Sequence, residues 1–189
     1  DQIPQAQSSL ISFNPKTGEV LSYVGGSVFN DSQFDRVRQS YPQSGSVFKP
    51  FIYASAFSGG YNPSSLINDA PIIFEDENLE TFWRPENYSG KFYGLTTLRE
   101  ALVQSINIVS IKLLREIGIK KSSETIDNFG FGTERLPQDL SLALGSGNFS
   151  PAEVARGFSV FANGGMISDI HYVSQIKDKN GDIIFDHSE

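Results

Sequence analysis

The 189-residue sequence has no cysteine, one methionine (Met166), one tryptophan (Trp83) and two histidines (His171 and His187). Without cysteine, thiol nucleophiles and thiolate zinc sites are excluded, while the redox compartment stays open, because a thiol-free chain suits either environment. Positive charge is also scarce. The 15 Lys and Arg residues face 22 Asp and Glu, a formal net charge of −7, with a pI near 4.8 and no basic run. General nucleic-acid binding draws its affinity from clustered cations that release counterions, so this balance argues against nucleic-acid partners. No apolar stretch approaches the ~20 residues that span a bilayer, and no charged-then-apolar leader occurs over Asp1–Leu10. The sequence starts without an initiator methionine and ends at Asp186-His187-Ser188-Glu189 without a terminating element, so it reads as an excised or processed fragment.

What is present suffices for one globular domain. Hydrophobic residues make up 39% and aromatic residues 12%, enough to build a core without a disulfide framework or structural metal. Alternation over Gln7–Phe13 and Glu19–Val24, joined by Asn14-Pro15-Lys16-Thr17-Gly18, predicts a β-hairpin. Ser46–Phe57 is apolar at helical spacing and is closed by Gly59-Gly60. Pro50 denies the carbonyl of Ser46 its helical partner, which predicts a distorted or 3₁₀-like first turn. Tyr61–Gly94, punctuated by Pro63, Pro71 and Pro85, reads as loop-rich. Thr97-Leu98-Arg99-Glu100 has the form of a capping box and opens a helical pattern ending near Gly118, with a break at Ser105-Ile106-Asn107. Ser150-Pro151-Ala152-Glu153 combines an N-cap serine, an N1 proline and an N3 glutamate ahead of a helix that stops at Gly164-Gly165. Lys177–Gly181 separates two short strands of a second hairpin.

The segment that can carry chemistry is Gly45-Ser46-Val47-Phe48-Lys49. Three residues of helix place the Lys49 amine on the same face as the Ser46 hydroxyl. Serine needs a base, and lysine serves as one only where burial or neighbouring cations lower its pKa. The unpaired amides at a helix start lie where an oxyanion forms when a hydroxyl attacks a carbonyl.

The run Arg38-Gln39-Ser40-Tyr41-Pro42-Gln43-Ser44-Gly45-Ser46-Val47-Phe48-Lys49-Pro50-Phe51 resembles the nucleophile segment of penicillin-binding proteins, most closely the bifunctional class A group. Trp83-Arg84-Pro85-Glu86-Asn87-Tyr88, Leu98-Arg99-Glu100-Ala101-Leu102, Ser105-Ile106-Asn107, Ala143-Leu144-Gly145-Ser146-Gly147 and Phe161-Ala162-Asn163-Gly164-Gly165 extend the resemblance over essentially the whole chain. It implies an α+β fold, an antiparallel sheet covered by helices as in penicillin-binding proteins and β-lactamases, with residues 1–189 forming one partial transpeptidase domain.

By position, the resemblance makes Ser46 the nucleophile that esterifies D-Ala-D-Ala stem peptides or β-lactams and Lys49 its base. Ser105 relays a proton to the leaving nitrogen, and Asn107 binds the substrate backbone or assists Lys49. It implies no cofactor and no metal. The family's third element, Lys-Thr-Gly or Lys-Ser-Gly on a later strand, has one match here, Lys16-Thr17-Gly18. That triplet precedes Ser46 in a turn and is rejected as catalytic, since turn geometry accounts for it. The true triplet is expected beyond Glu189, and the isolated chain is expected to be nearly inactive, because one lost oxyanion donor costs ~3–4 kcal/mol.

Other groups carry less. His171 and His187 have no catalytic partner in the sequence, and Glu75, Asp76 and Glu77 read as a solvated cluster rather than a metal site. Trp83, Tyr88, Phe92 and Tyr93 read as aromatic packing about a loop. Two alternatives to a D,D-transpeptidase remain: a serine β-lactamase, for which no deacylating glutamate loop is evident, and a non-catalytic scaffold of the same fold. The resemblance also implies peptidoglycan stem peptides and glycan strands as partners. It further implies a parent anchored in the cell inner membrane, with this domain on the periplasmic side and a glycosyltransferase domain elsewhere in the chain.

Overall fold

A computed structural model describes residues 6–76 and 81–187, and its contacts divide the chain into two units. One comprises the described residues up to Pro42 together with those from Phe149 onward, and the other is Gln43–Asn148.

In the first unit β1 (Leu10–Phe13) pairs antiparallel with β2 (Val20–Val24). The turn between them is closed by the Asn14 side chain, whose Oδ1 accepts the Lys16 amide at 2.9 Å, and by Gly18, whose amide donates to the Asn14 carbonyl at 2.8 Å. Gly18 adopts a φ of +80°, and a Cβ there would run into the Asp169 carbonyl.

The second unit opens with a 3₁₀ turn, Gly45–Phe48, which runs into α1 (Lys49–Ser58). Because Pro50 has no N–H, the residues before it tighten into i→i+3 bonds, as expected from the sequence. Phe51, Ile52, Tyr53 and Ala56 leave α1 buried on most of its circumference, so α1 is the centre of this unit's core. Phe48 and Phe51 meet Phe131 edge-on, with ring centroids 5.1 and 4.8 Å apart.

The expected loop between Tyr61 and Gly94 contains more regular structure than its prolines suggest. β3 (Leu66–Asp69) and β4 (Phe74–Asp76) are followed by β5 (Thr81–Trp83) and β6 (Gly94–Thr97), with β3 pairing β6 and β4 pairing β5, both antiparallel. These strands have only three or four residues each, too short for an alternation to stand out. Glu77 lies outside the described residues. Of the four aromatics expected to pack, Trp83 stacks on Phe74 at 5.3 Å, but Tyr88, Phe92 and Tyr93 are exposed, Tyr88 fully at 104%.

α2 (Leu98–Val103) starts at Thr97, whose hydroxyl accepts the Glu100 amide at 3.2 Å. After the expected break, α3 (Asn107–Ile117) follows. Gly118 ends α3 as expected, but a further helix that was not expected begins directly after it. With φ +90° Gly118 is a hinge into α4 (Ile119–Asp127), which packs on α1 through Ile126 and the small buried residues Ser122 and Ser123.

In the first unit, α5 (Pro151–Ala162) begins with the full capping box read from the sequence, the Ser150 hydroxyl accepting the Glu153 amide while Glu153 accepts the Ser150 amide at 2.8 Å. The chain then reaches the hairpin of β7 (Gln175–Lys177) and β8 (Ile183–Asp186). The fold is therefore α+β, with its antiparallel pairing distributed over four two-stranded ladders among the described residues. No helix among them is long and apolar enough to cross a membrane.

Candidate active site

The residues read as chemical in the sequence lie in the Gln43–Asn148 unit. Ser46 sits on the outer side of the 3₁₀ turn, exposed, and its carbonyl accepts the Lys49 amide. Among the described residues its hydroxyl makes no hydrogen bond. Lys49, the first residue of α1, is 0% exposed.

The Lys49 amine meets three oxygens. Nζ donates to the Ser105 carbonyl at 2.6 Å, to the Asn107 Oδ1 at 2.7 Å, and lies 3.0 Å from the Ser105 hydroxyl. Ser105 reaches it with both groups because it sits in the α2–α3 break at φ +54°, the single non-glycine residue with positive φ among those described. That conformation costs of order 1–3 kcal/mol and persists where the surroundings enforce it. Here the Ile106 amide anchors the break on the Ala101 carbonyl at 2.8 Å. The orientation of Asn107 is fixed from behind, since its Nδ2 donates to the Glu86 carbonyl at 2.9 Å and leaves Oδ1 to face Lys49.

Burial lowers the Lys49 pKa from its ordinary 10.5 to about 8. Among the described residues no carboxylate is paired with it, so no opposite charge offsets the desolvation of the ammonium. The three oxygens also suit the neutral form. A neutral amine has two N–H groups, and two of the three neighbours, the Ser105 carbonyl and Asn107 Oδ1, can only accept. Its lone pair is then free for a hydroxyl proton, which the Ser105 hydroxyl can supply or pass on. The cluster thus stabilises a proton-accepting lysine next to a hydroxyl able to donate and accept.

The turn bearing Ser46 is pinned by a second backbone segment. The Ser44 and Gly45 amides donate to the carbonyls of Gly147 and Gly145 at 3.0 and 2.9 Å, and the Ser44 hydroxyl donates to the same two oxygens. Gly145, at φ +73°, is required here because a Cβ would run into the Gly45 carbonyl.

Of the four residues read from the sequence, Ser105 and Asn107 converge on Lys49, and Ser46 lies one turn before it without a hydrogen bond to the cluster among the described residues. Three others did not stand out. Gly145 fixes the turn that bears Ser46, while Asn87 and Asp69 form a buried pair behind α3, with Asn87 Nδ2 2.9 Å from each Asp69 oxygen. The signal for Asn87 and Gly145 was their place in the motif strings. Asp69 had none. Lys16-Thr17-Gly18 does a turn's work in the other unit: Thr17 Oγ1 accepts the Glu19 amide, and the Gly18 carbonyl accepts the His171 amide.

Residues 9–189 match the family described as the penicillin binding protein transpeptidase domain. The chain is 46% identical over 184 residues to penicillin-binding protein 1A of Pseudomonas aeruginosa, covering 97% of this chain and 22% of that protein. It is 40% identical over 185 residues to penicillin-binding protein 1A of Escherichia coli, covering 98% of this chain and again 22% of the relative. Among solved structures, penicillin-binding protein 1A from Haemophilus influenzae superposes with a TM-score of 0.93 at 38% identity, covering 97% of this chain and 27% of that one. The chain therefore spans about a fifth of the length of these curated relatives.

Proposed function

The chain belongs to the penicillin-binding protein transpeptidase family, and from that premise we propose that it is the nucleophile-bearing part of a D,D-transpeptidase domain in a longer peptidoglycan synthase. The observation that carries this reading is the buried Lys49 amine, held by the Ser105 carbonyl, the Ser105 hydroxyl and Asn107 Oδ1 one helical turn after an exposed serine.

In the proposed reaction the Ser46 oxygen attacks the penultimate D-alanine carbonyl of a stem peptide. Its proton passes to Lys49, and the new ester bond forms as the peptide bond breaks. Ser105 delivers a proton to the departing D-alanine nitrogen, and Asn107, whose side-chain amide does not titrate, helps hold the peptide and the amine in register. An amine from a neighbouring stem then attacks the ester, restores the Ser46 hydroxyl and leaves a cross-link. A β-lactam enters the first half of this sequence by opening its ring on the same oxygen. The Ser46 amide, in the first turn of its helix, supplies one oxyanion donor. The second donor and the groups binding the substrate carboxylate come from a Lys-Thr-Gly or Lys-Ser-Gly strand outside these residues. Anchorage of the parent in the cell inner membrane, with this domain on the periplasmic side and a glycosyltransferase domain in the same protein, belongs to the same reading.

The test is to incubate the intact protein with a labelled penicillin and map the adduct by mass spectrometry. The adduct is expected on the peptide containing Ser46, absent in Ser46→Ala, and long-lived, which separates a synthase from a β-lactamase. Modification of another peptide, or of none, would refute the assignment.

A further inference from the structure

We infer that Asn87, oriented by the buried carboxylate of Asp69, is a positioning residue of the acyl-transfer site, acting by capping helix α3 from outside that helix. The inference rests on the function proposed above.

Helix α3 starts without a local cap. Its N-cap residue is Ile106, which has no side-chain acceptor, although the first amides of any helix lack intrahelical partners. Asn87, twenty residues upstream, fills the gap: its Oδ1 accepts the Asn107 amide at 3.0 Å and the Ile108 amide at 3.1 Å. Asn87 is 5% exposed and Ile108 is 0% exposed, so water does not replace this acceptor readily.

An amide side chain caps a helix only with its oxygen forward, and the structure fixes that choice. Asn87 Nδ2 donates to both oxygens of Asp69 at 2.9 Å and to the Lys91 carbonyl at 2.9 Å. A carboxylate and a carbonyl can only accept, so the amide cannot turn over. Asp69 is 0% exposed and also accepts the Tyr93 amide at 2.9 Å. The nearby cation, Lys112, is engaged by the carbonyls of Asn68 and Ala70 on either side of Asp69.

The neighbouring residue completes the arrangement. The Glu86 carbonyl accepts Asn107 Nδ2 at 2.9 Å. Consecutive residues 86 and 87 therefore hold the backbone of Asn107 and the orientation of its side chain, and that side chain receives the Lys49 amine at 2.7 Å. The path runs from Asp69 through Asn87 and the first turn of α3 to the base. Asn87 touches neither the nucleophile nor its proton. It sets where the acceptor on Asn107 lies, and displacements of about 1 Å at such a position cost ~10²-fold in rate.

Exchanging the two side chains separates positioning from bulk stability. Asp69→Asn keeps an oxygen for the Tyr93 amide but turns an NH2 toward the Asn87 donor, which favours an overturned Asn87 with its donors facing the α3 amides. Asn87→Asp buries two carboxylates together. In the double variant, the amide at 69 accepts from Tyr93 and donates to the carboxylate at 87, which accepts from Asn107 and Ile108. Only the Lys91 carbonyl loses its donor.

The measurement is the second-order rate of acylation of Ser46 in the intact protein by a labelled penicillin, followed across pH. Each single variant is expected to acylate ~10²-fold more slowly with a displaced pH midpoint, and the double variant to recover to within about tenfold with the original midpoint. Asn87→Ser, a smaller perturbation, carries the same expectation of slowed acylation and a moved midpoint if the single exchanges fail to fold. Variants that stay folded with unchanged rate and midpoint, or a double variant no faster than the slower single, would overturn the inference. Failure of the unsubstituted protein to acylate at Ser46 would instead overturn the reading on which it rests.

Discussion

Lys49 has a carbonyl, a hydroxyl and an amide oxygen around its nitrogen and no carboxylate partner among the described residues, and this choice of neighbours sets its chemistry. With a pKa of about 8 in place of 10.5, roughly a tenth of the amine is neutral at pH 7, against a few parts in ten thousand for an exposed lysine. In the proposed function the neutral form is the base, so acylation by a labelled penicillin is expected to accelerate with rising pH and level off above about 8. Lys49→Arg, which cannot give up its proton at these pH values, is expected to acylate at least ~10²-fold more slowly and without that rise. A rate flat from pH 6 to 9 in the unsubstituted protein would remove Lys49 from the mechanism. Ser46 and Lys49 are legible in the sequence because their relation is local, within one helical turn. Asp69 is not, because a lone aspartate in a polar stretch looks like any surface acid until β3 and β6 close around it.

At the scale of elements, helices announced by a capping side chain or an apolar stripe were readable, and α4, which has neither, was not. Thr97 and Ser150 each announce a helix start, and both are found capping. α4 has Gly118 before it and no capping side chain. Its buried face includes Ser122 and Ser123, whose polarity hides the apolar stripe by which an amphipathic helix is found. The contact between the Gly45 and Gly145 backbones is invisible for a different reason: it joins chain positions far apart through main-chain atoms alone. It makes a sharp prediction. Gly145→Ala adds a Cβ against the Gly45 carbonyl and strains a residue at φ +73°, so a loss on the order of 2–3 kcal/mol is expected. Ser46 acylation should slow more than in Gly164→Ala, which has a comparable φ of +62° but open space around the added atom. Thermal unfolding and acylation rates of the two variants, measured side by side, check this.

Across the whole molecule, two of the small ladders leave apolar side chains in water. Leu10, Leu21 and Val24 on the first hairpin, and Ile176, Ile183, Ile184 and Phe185 on the last, are all exposed. Two-stranded ribbons are marginal in isolation, and unpaired strand edges with apolar flanks invite association. A polypeptide of these 189 residues is therefore expected to self-associate through the micromolar range, with elution volume in gel filtration moving with concentration. Leu21→Lys with Ile184→Lys is expected to suppress the shift, and concentration-independent elution of the unsubstituted chain as a monomer would contradict it. The α+β class and the hairpins at either end were legible from alternation and turn residues, whereas the division into four separate ladders depends on pairings between β3 and β6 that no local pattern encodes.

Ser46, Lys49, the pair Asp69 and Asn87, and Gly145 all fall within the uninterrupted stretch Gln43–Asn148. A genetic exchange that moves this stretch whole between homologous genes would carry the hydrogen-bond network around Lys49 intact. A crossover inside it would join halves of a hydrogen-bond circuit that had been tuned in different ancestors.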